Sequence, residues 1–206
     1  MGEVMAMIGR REVLAGAAAL AAAGPVLAQT ANPKVVITTD HGAITAEIFQ
    51  DKAPVTAANF LRYVDTRRYD DARIYRASRA QGAPEFGFIE AGLPNHPERL
   101  LPPIRHEPTT QTGLKHLDGT LSLARFAPGT GQADFTILVG DSPGMDADPS
   151  LPGDNQGFAA FGRVTEGMQV VKAILALPTG GEARNPVMAG EILDPPVKIL
   201  TIRRLP

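Results

Sequence analysis

The chain has 206 residues, a formal net charge of −2, and neither cysteine nor tryptophan. The 20 basic and 22 acidic residues nearly balance and form no basic stripe, which argues against a nucleic-acid-binding protein. Without cysteine, disulfides and thiolate metal sites are excluded.

The first 28 residues have the pattern of an export signal. Arg10-Arg11 supplies a basic region, the apolar run Val13–Ala23 is too short to span a bilayer, and Val26–Ala28 is typical of a cleavage site. The paired arginines resemble a twin-arginine signal; the alternative is a general secretory signal in which they only supply charge. We therefore expect a removable signal peptide and, at residues 29–206, one periplasmic or otherwise exported domain that leaves the membrane once the signal is removed.

The chain after the signal begins with a pattern typical of a β-hairpin. Val35–Thr39 is β-branched, residues 40–42 suit a turn, and Ala43–Phe49 alternates apolar with polar side chains. The period then changes, because apolar residues recur at helical spacing over Pro54–Tyr69 and again over Glu166–Leu177. These two segments are predicted to be helices.

Short apolar runs between the two predicted helices indicate strands. They are Arg73–Ala77, Phe86–Ala91, Gly119–Ala124, Phe135–Val139 and Phe158–Val164, with a last strand at Val197–Arg203. Many short strands with two helices predict a mainly β fold, namely a closed antiparallel barrel capped by two α-helices. The Pro/Gly-rich tracts Leu93–Pro108 and Ser142–Gln156 are predicted to be surface loops.

Several motifs, in this order, resemble those of cyclophilins. They are Asp51–Leu61 (first helix and lead-in), Tyr69-Asp70 (a turn), Ile74–Arg76 (the strand with the catalytic arginine), Gly119–Ala124 (a core strand) and Phe161–Val164 (the lead-in to the second helix). The resemblance covers Val35 to Arg203. It implies an eight-stranded barrel that isomerises X-Pro bonds of polypeptides without a cofactor. We expect it to act as a monomer.

The chemistry of X-Pro isomerisation explains why an arginine is suited to such a site. Twisting the peptide bond breaks amide resonance, at a barrier of about 18–20 kcal/mol. The reaction needs no nucleophile or metal; it needs an apolar pocket for the proline ring and donors that favour the twisted amide. The resemblance implies that Arg76 is the catalytic residue. A surface ion pair is the alternative interpretation of this arginine.

The resemblance assigns further residues to substrate binding, and several depart from the family pattern. They are Phe88, Glu90, Ala124, Arg125, Asp134, Thr136 and Phe158. Glu90 and Asp134 stand where cyclophilins have glutamines, and Thr136 stands where they have a phenylalanine. We hypothesise that both acids and Arg125 converge on the groove around Arg76. The acids would then either clamp this arginine or sequester its donors.

Two other functions remain open. One is a proline-peptide-binding or chaperone module of the same fold with weak or no turnover. The other is a hydrolase or metal enzyme that uses the histidines, which are His41, His96, His106 and His116. Their spacing matches no metal motif, and neither Ser78 nor Ser122 has a visible base in the sequence.

Overall fold

The structure is a computed structural model that describes residues 1–2, 31–94 and 96–206, so the predicted export signal lies outside the described residues except for its first two positions. From residue 31 onward, eight strands form a closed barrel in the order β1-β2-β7-β5-β6-β4-β3-β8, with every pairing antiparallel. The strands are β1 (Lys34–Thr39), β2 (Gly42–Ile48), β3 (Ala72–Ala80), β4 (Ala83–Gly92), β5 (Thr120–Leu123), β6 (Phe135–Val139), β7 (Ala159–Glu166) and β8 (Ile192–Arg204). The predicted barrel is confirmed.

The first hairpin shows how alternation in the sequence fixes one face of the barrel. Ile37 of β1 pairs with Ile44 of β2, and both are buried, as are Ala46 and Ile48 further along β2. Successive side chains of a strand point to opposite faces, so the polar residues between them face outward. Gly42 has a φ of +132°, a backbone conformation that favours glycine in the turn.

Both predicted helices are present, each shorter than its apolar pattern. They are α1 (Pro54–Asp65) and α3 (Met168–Leu175), and a short α2 (Thr109–Thr112) was not predicted. Helix α1 stops because Arg67 turns to a φ of +56°, and α3 starts only after Gly167, at a φ of +90°. None of the helices among the described residues is long and apolar enough to cross a membrane.

Helix α1 is positioned by its aromatic face. Phe60 packs within 5.1–5.5 Å, between ring centroids, of Tyr69, Phe135 and Phe161. All four side chains are at most 1% exposed. Aromatic clusters of this kind bury a large apolar area and favour tilted or edge-on contacts. The cluster therefore anchors the helix to the barrel core, close to the turn that leads into β3.

A carboxylate from a distant loop completes the N-terminus of α1. Its first turn has no side-chain cap at Ala53. Instead, Glu107 accepts hydrogen bonds from the backbone N–H of Val55 at 3.1 Å and of Thr56 at 2.7 Å, and from the Thr56 hydroxyl at 2.7 Å. Glu107 is fully buried. It satisfies N–H groups that a helix leaves without partners at its start.

Candidate functional site

Arg76 is held between two carboxylates. Antiparallel pairing of β3 with β4 sets it opposite Glu90, and its Nη1 donates to Glu90 Oε2 at 2.8 Å. Its Nε donates to Glu191 Oε2 at 2.7 Å, and Nη2 lies 2.7 Å from the same oxygen. The Phe88 ring lies under the guanidinium, 5.0 Å from Cζ. Arg76 is thus fixed along one edge, at one Nη donor and on one face.

The two acids keep Arg76 charged while leaving it partly available. Burial acts to lower the pKa of Arg76, but the hydrogen bonds to Glu90 and Glu191 outweigh it, so the pKa is raised. A guanidinium has five N–H donors. Nε and Nη1 each donate one hydrogen bond, and Nη2 lies against Glu191 in the ion pair, which leaves at least one N–H on each Nη group. The side chain keeps 15% of its surface exposed.

Tyr75 connects Glu90 to the second predicted acid. The pairing of β3 with β4 shifts register between Ile74 and Arg76, and this bulge sets Tyr75 apart from the regular ladder. The Tyr75 hydroxyl lies 2.9 Å from Glu90 Oε1 and 3.0 Å from Asp134 Oδ2. Asp134 therefore reaches Arg76 through two intermediates instead of by direct contact.

Arg125 contacts the segment that precedes β7. It forms a bidentate pair with Asp154 at 2.9 and 3.0 Å, and its Nε donates to the Gly157 carbonyl at 2.9 Å, with Nη2 on the same oxygen. Its Cζ lies 5.1 Å from the centroid of the Phe158 ring. These contacts do not bear on the hypothesised convergence of Arg125 on the groove around Arg76. The role of Arg125 in substrate binding stays a prediction.

The other predicted binding residues lie along β4, β5 and β6. Thr136 is opposite Glu90 in the β4–β6 pairing and is only 5% exposed, with its hydroxyl 3.4 Å from the Ser122 carbonyl. The backbone N–H of Ala124 donates to the Asp134 carbonyl at 2.8 Å. Phe88, Glu90, Thr136, Ala124 and Asp134 therefore share one side of the barrel wall. Their contact with substrate stays a prediction.

A buried serine–histidine–aspartate array lies nearby, which the sequence did not indicate. His116 Nδ1 is 2.7 Å from Asp146 Oδ1, and its Nε2 is 2.8 Å from Ser122 Oγ. Ser122 is fully buried and His116 is 1% exposed, so this array lacks the access that a hydrolytic nucleophile requires. Among the described residues, no group of three or more histidine, aspartate or glutamate side chains could hold a metal ion.

Sequence reasoning missed Glu191 and Tyr75. Glu191 lies 115 positions from Arg76, outside every motif of the resemblance, and no local pattern marks it. Tyr75 stood next to Arg76 in the quoted motif, but only the bulge and the fold turn its hydroxyl toward two acids. Contacts of this kind depend on strand pairing and not on neighbouring residues.

Comparison with known proteins agrees with this geometry. The family model described as cyclophilin type peptidyl-prolyl cis-trans isomerase/CLD matches residues 34–203. The chain belongs to this family. A peptidyl-prolyl cis-trans isomerase of Acinetobacter baylyi is 30% identical to this cyclophilin over 84% of the chain and 86% of its own length. Peptidyl-prolyl cis-trans isomerase B of Escherichia coli is 35% identical over 71% and 86%.

Solved structures share the fold of this cyclophilin. A cyclophilin type isomerase of Cryptosporidium parvum aligns with a TM-score of 0.64 at 18% identity, covering 85% of this chain and 98% of that one. A second structure, of the same protein with the dipeptide Ala-Pro, gives 0.65 at 19% identity, covering 84% and 99%. The predicted enzyme class, an isomerase of the peptidyl-prolyl type, is confirmed by the family and its curated relatives.

Proposed function

We propose that this cyclophilin isomerises X-Pro bonds of exported polypeptides, with Arg76 as its catalytic residue, and so assists their folding. The single observation that carries the role of Arg76 is its arrangement: a charged guanidinium held by Glu90 and Glu191 with one N–H of each Nη group still available. The predicted signal at residues 1–28 supports exported clients. The proposal includes a monomer that leaves the membrane after signal removal.

Arg76 can lower the barrier by electrostatic stabilisation alone. When the peptide bond twists, resonance is lost and the proline nitrogen regains a lone pair that can accept a hydrogen bond. Donors that are fixed before the reaction stabilise this charge without reorganisation at the moment of twisting. A guanidinium stays protonated throughout the physiological range, so this contribution needs no proton transfer. Five decades of acceleration would require about 7 kcal/mol of preferential transition-state binding.

The site offers little apolar surface for contact with the proline ring. Phe88 offers an aromatic surface beside Arg76. Thr136 stands where the family resemblance has a phenylalanine, and the loss of that ring removes apolar contact worth about 1–3 kcal/mol. We therefore expect a lower specificity constant than a site with both rings would give, by about one to two decades.

A proline-peptide-binding module is the second candidate, and the occupied donors of Arg76 favour it. Glu90 and Glu191 accept hydrogen bonds from Nη1 and Nε, and Glu191 also lies against Nη2, which weakens any interaction that needs the whole fork. A protein of this kind would bind proline peptides with affinity close to that of the isomerase but turn them over slowly.

An isomerisation assay decides between these candidates. Turnover of a proline-containing tetrapeptide should fall by about two decades or more in Arg76→Ala, because the positioned charge is lost. Arg73→Ala is the matched control: Arg73 lies on the same strand and donates to the carbonyls of Asp71 and Ala72. Wild-type turnover no higher than that of Arg76→Ala, with peptide binding retained in calorimetry, would establish the binding module.

Export requires its own test. The full chain, produced in a Gram-negative host, should appear in the periplasm with its new N-terminus near residue 29, as read by mass spectrometry. Replacement of Arg10-Arg11 by two lysines should block processing if the twin-arginine route is used, and leave it intact if a general secretory signal operates. An unprocessed cytoplasmic product of the wild-type chain would contradict exported clients without affecting the isomerase assignment.

A further inference from the structure

The hydroxyl of Tyr75 faces two carboxylates but has only one hydrogen to donate. Glu90 Oε1 lies 2.9 Å away and Asp134 Oδ2 lies 3.0 Å away, both within hydrogen-bond distance. A phenol donates one hydrogen and otherwise accepts, whereas an ionised carboxylate only accepts. With both acids ionised, one of the two oxygen–oxygen contacts would contain no hydrogen. A second proton on one of the acids satisfies both contacts.

The surroundings of the two acids indicate which one holds that proton. Glu90 bonds to the Arg76 guanidinium through Oε2, which stabilises its ionised form. Among the described residues Asp134 has no such cation as a hydrogen-bond partner, and its Oδ1 accepts the backbone N–H of Leu93 at 2.9 Å. Its carboxyl group also packs against Gly92, where a Cβ would lie 1.7 Å from Oδ1. The contact with Gly92 backbone leaves little room for water beside this oxygen.

The pKa of Asp134 agrees with this geometry. Burial raises the pKa of Asp134, and the charge of Glu90 raises it further, against the opposing hydrogen bonds from Leu93 and Tyr75. Raised pKa values are the usual result when two carboxyl groups share one site, since like charges disfavour the second ionisation.

We propose that Asp134 is a positioning residue that carries a proton on Oδ2 and donates it to Tyr75, so that Tyr75 donates its own hydrogen to Glu90. Glu90 is then held by Tyr75 on one oxygen and by Arg76 on the other. The inference rests on the proposed function at one point: the group that this chain of contacts positions is Arg76, the proposed catalytic residue. It deepens that function by making the placement of Arg76 depend on the ionisation of an acid two contacts away.

Rising pH should weaken this arrangement. Once Asp134 ionises, it competes with Glu90 for the single hydrogen of Tyr75, and the two negative charges repel each other. Tyr63 of α1 and Tyr69 are the other titratable groups that face Asp134, and burial raises the pKa of both, so they remain neutral phenols. Burial likewise raises the pKa of Tyr75. Asp134 therefore ionises before these three tyrosines when the pH increases.

Carbon-13 NMR of the carboxyl groups tests the proton directly in the full chain. The Asp134 resonance should titrate above the ordinary aspartate value of about 3.9, and the Glu90 resonance should shift over the same pH range. In Tyr75→Phe the Glu90 shift should no longer follow Asp134, because the connecting hydroxyl is gone. Asp148→Asn is the matched control and should change neither curve. Asp148 is exposed, and its carboxylate accepts hydrogen bonds from the backbone N–H and the hydroxyl of Ser150.

Enzyme kinetics test the consequence for Arg76. In the wild type, kcat/KM should fall by about two- to tenfold as Asp134 ionises, the effect of losing one hydrogen bond. Asp134→Asn, whose amide always carries hydrogens, should lack this step, and Asp148→Asn should keep it. An Asp134 resonance that titrates at or below its ordinary value overturns the inference, whether or not the protein turns over.

A pH profile of the wild type that runs parallel to that of Asp134→Asn, with clear turnover in both, overturns the positioning role alone. Absence of turnover at every pH would instead contradict the proposed function. In that case the coupled carboxyl titration, and its loss in Tyr75→Phe, would still support the shared proton. A Glu90 shift that persists unchanged in Tyr75→Phe would overturn it.

Discussion

Glu191 Oε2 lies 2.7 Å from both Nε and Nη2 of Arg76 and so fixes the side edge of the guanidinium. Glu191 is itself fixed at two further points on β3. Its Oε1 accepts a hydrogen bond from the Ser78 hydroxyl at 2.9 Å, and its backbone carbonyl accepts one from the Ala77 N–H at 2.9 Å. The segment before β8 thus determines the direction in which Arg76 presents its remaining donors.

Replacement of Glu191 shows whether this acid holds Arg76 in its working orientation or instead occupies the donors that a substrate would need. If the acid orients Arg76, Glu191→Ala should lower kcat/KM for a proline tetrapeptide by about tenfold or more, because a charge-assisted hydrogen bond worth about 1.5–3 kcal/mol is lost. Glu191→Gln keeps one acceptor oxygen and should lose less. Ser78→Ala removes only the outer contact with Glu191 and serves as the control. An increase in turnover in Glu191→Ala would show instead that the acid sequesters the donors.

Arg125 and Asp154 form an ion pair whose two partners should contribute unequally to stability. The Asp154 side chain is 45% exposed, whereas that of Arg125 is 6% exposed. Asp154→Asn should therefore lower the unfolding free energy only slightly, as is usual for an exposed ion pair. Arg125→Ala should cost about 1–3 kcal/mol, because it also removes the bond to the Gly157 carbonyl and the stacking on Phe158.

Urea unfolding of the two variants at one pH measures this difference. Equal losses would mean that the charge pair, and not the buried contacts of Arg125, holds the loop that precedes β7. High salt provides a further control, since it screens the exposed pair with Asp154 but leaves the bond to Gly157 in place.

The sequence predicts the barrel well because its signals are local. Alternation in residues 34–48 marks the first hairpin, and the predicted strand Phe135–Val139 coincides with β6. Helix ends are less accurate: the apolar spacing continues to Tyr69, but the backbone at Arg67 has already left the helical region. Periodicity reports which face is buried, whereas the end of a helix depends on single backbone angles.

The site is predictable only where the family resemblance supplies it. Arg76 and Glu90 are opposite each other on paired strands, which the motif order implies. Glu191 and the Tyr75 bridge to Asp134 depend on pairings between distant segments, which one sequence does not reveal. The partners of Arg125 are of the same kind, because Asp154 and the Gly157 carbonyl come from a segment outside the motifs of the resemblance.

Glu107 should be among the residues most important for stability, because it acts as the cap of α1 from a loop more than fifty positions away. Glu107→Gln keeps one acceptor but leaves a buried helix N–H without a partner, and should lower the unfolding free energy by about 1–3 kcal/mol. Glu107→Ala should lower it further. The control is Glu98→Gln, since Glu98 is 65% exposed. A loss for Glu107→Gln no greater than for Glu98→Gln would contradict the capping role.

His116 should make the folded state less stable at mildly acidic pH. Burial lowers the pKa of His116 below its ordinary value of 6.5, and the hydrogen bond to Asp146 only partly offsets this. The unfolded chain therefore binds a proton on this side chain at a higher pH than the folded protein does. Stability from this group is complete above about pH 7 and is lost as the pH falls below the unfolded value, by at most about 1.4 kcal/mol per pH unit.

Unfolding free energies of the wild type and His116→Gln between about pH 5 and 7.5 test this prediction. The wild type should lose stability toward acid more steeply than His116→Gln, which is less stable overall because Ser122 and Asp146 lose a partner. His41→Gln is the matched control for the loss of one histidine, since its side chain is 37% exposed. If the unfolding free energy changes equally with pH in the wild type and in His116→Gln, the prediction is wrong. His116 would then bind a proton within the folded protein, with Asp146 as its counter-ion.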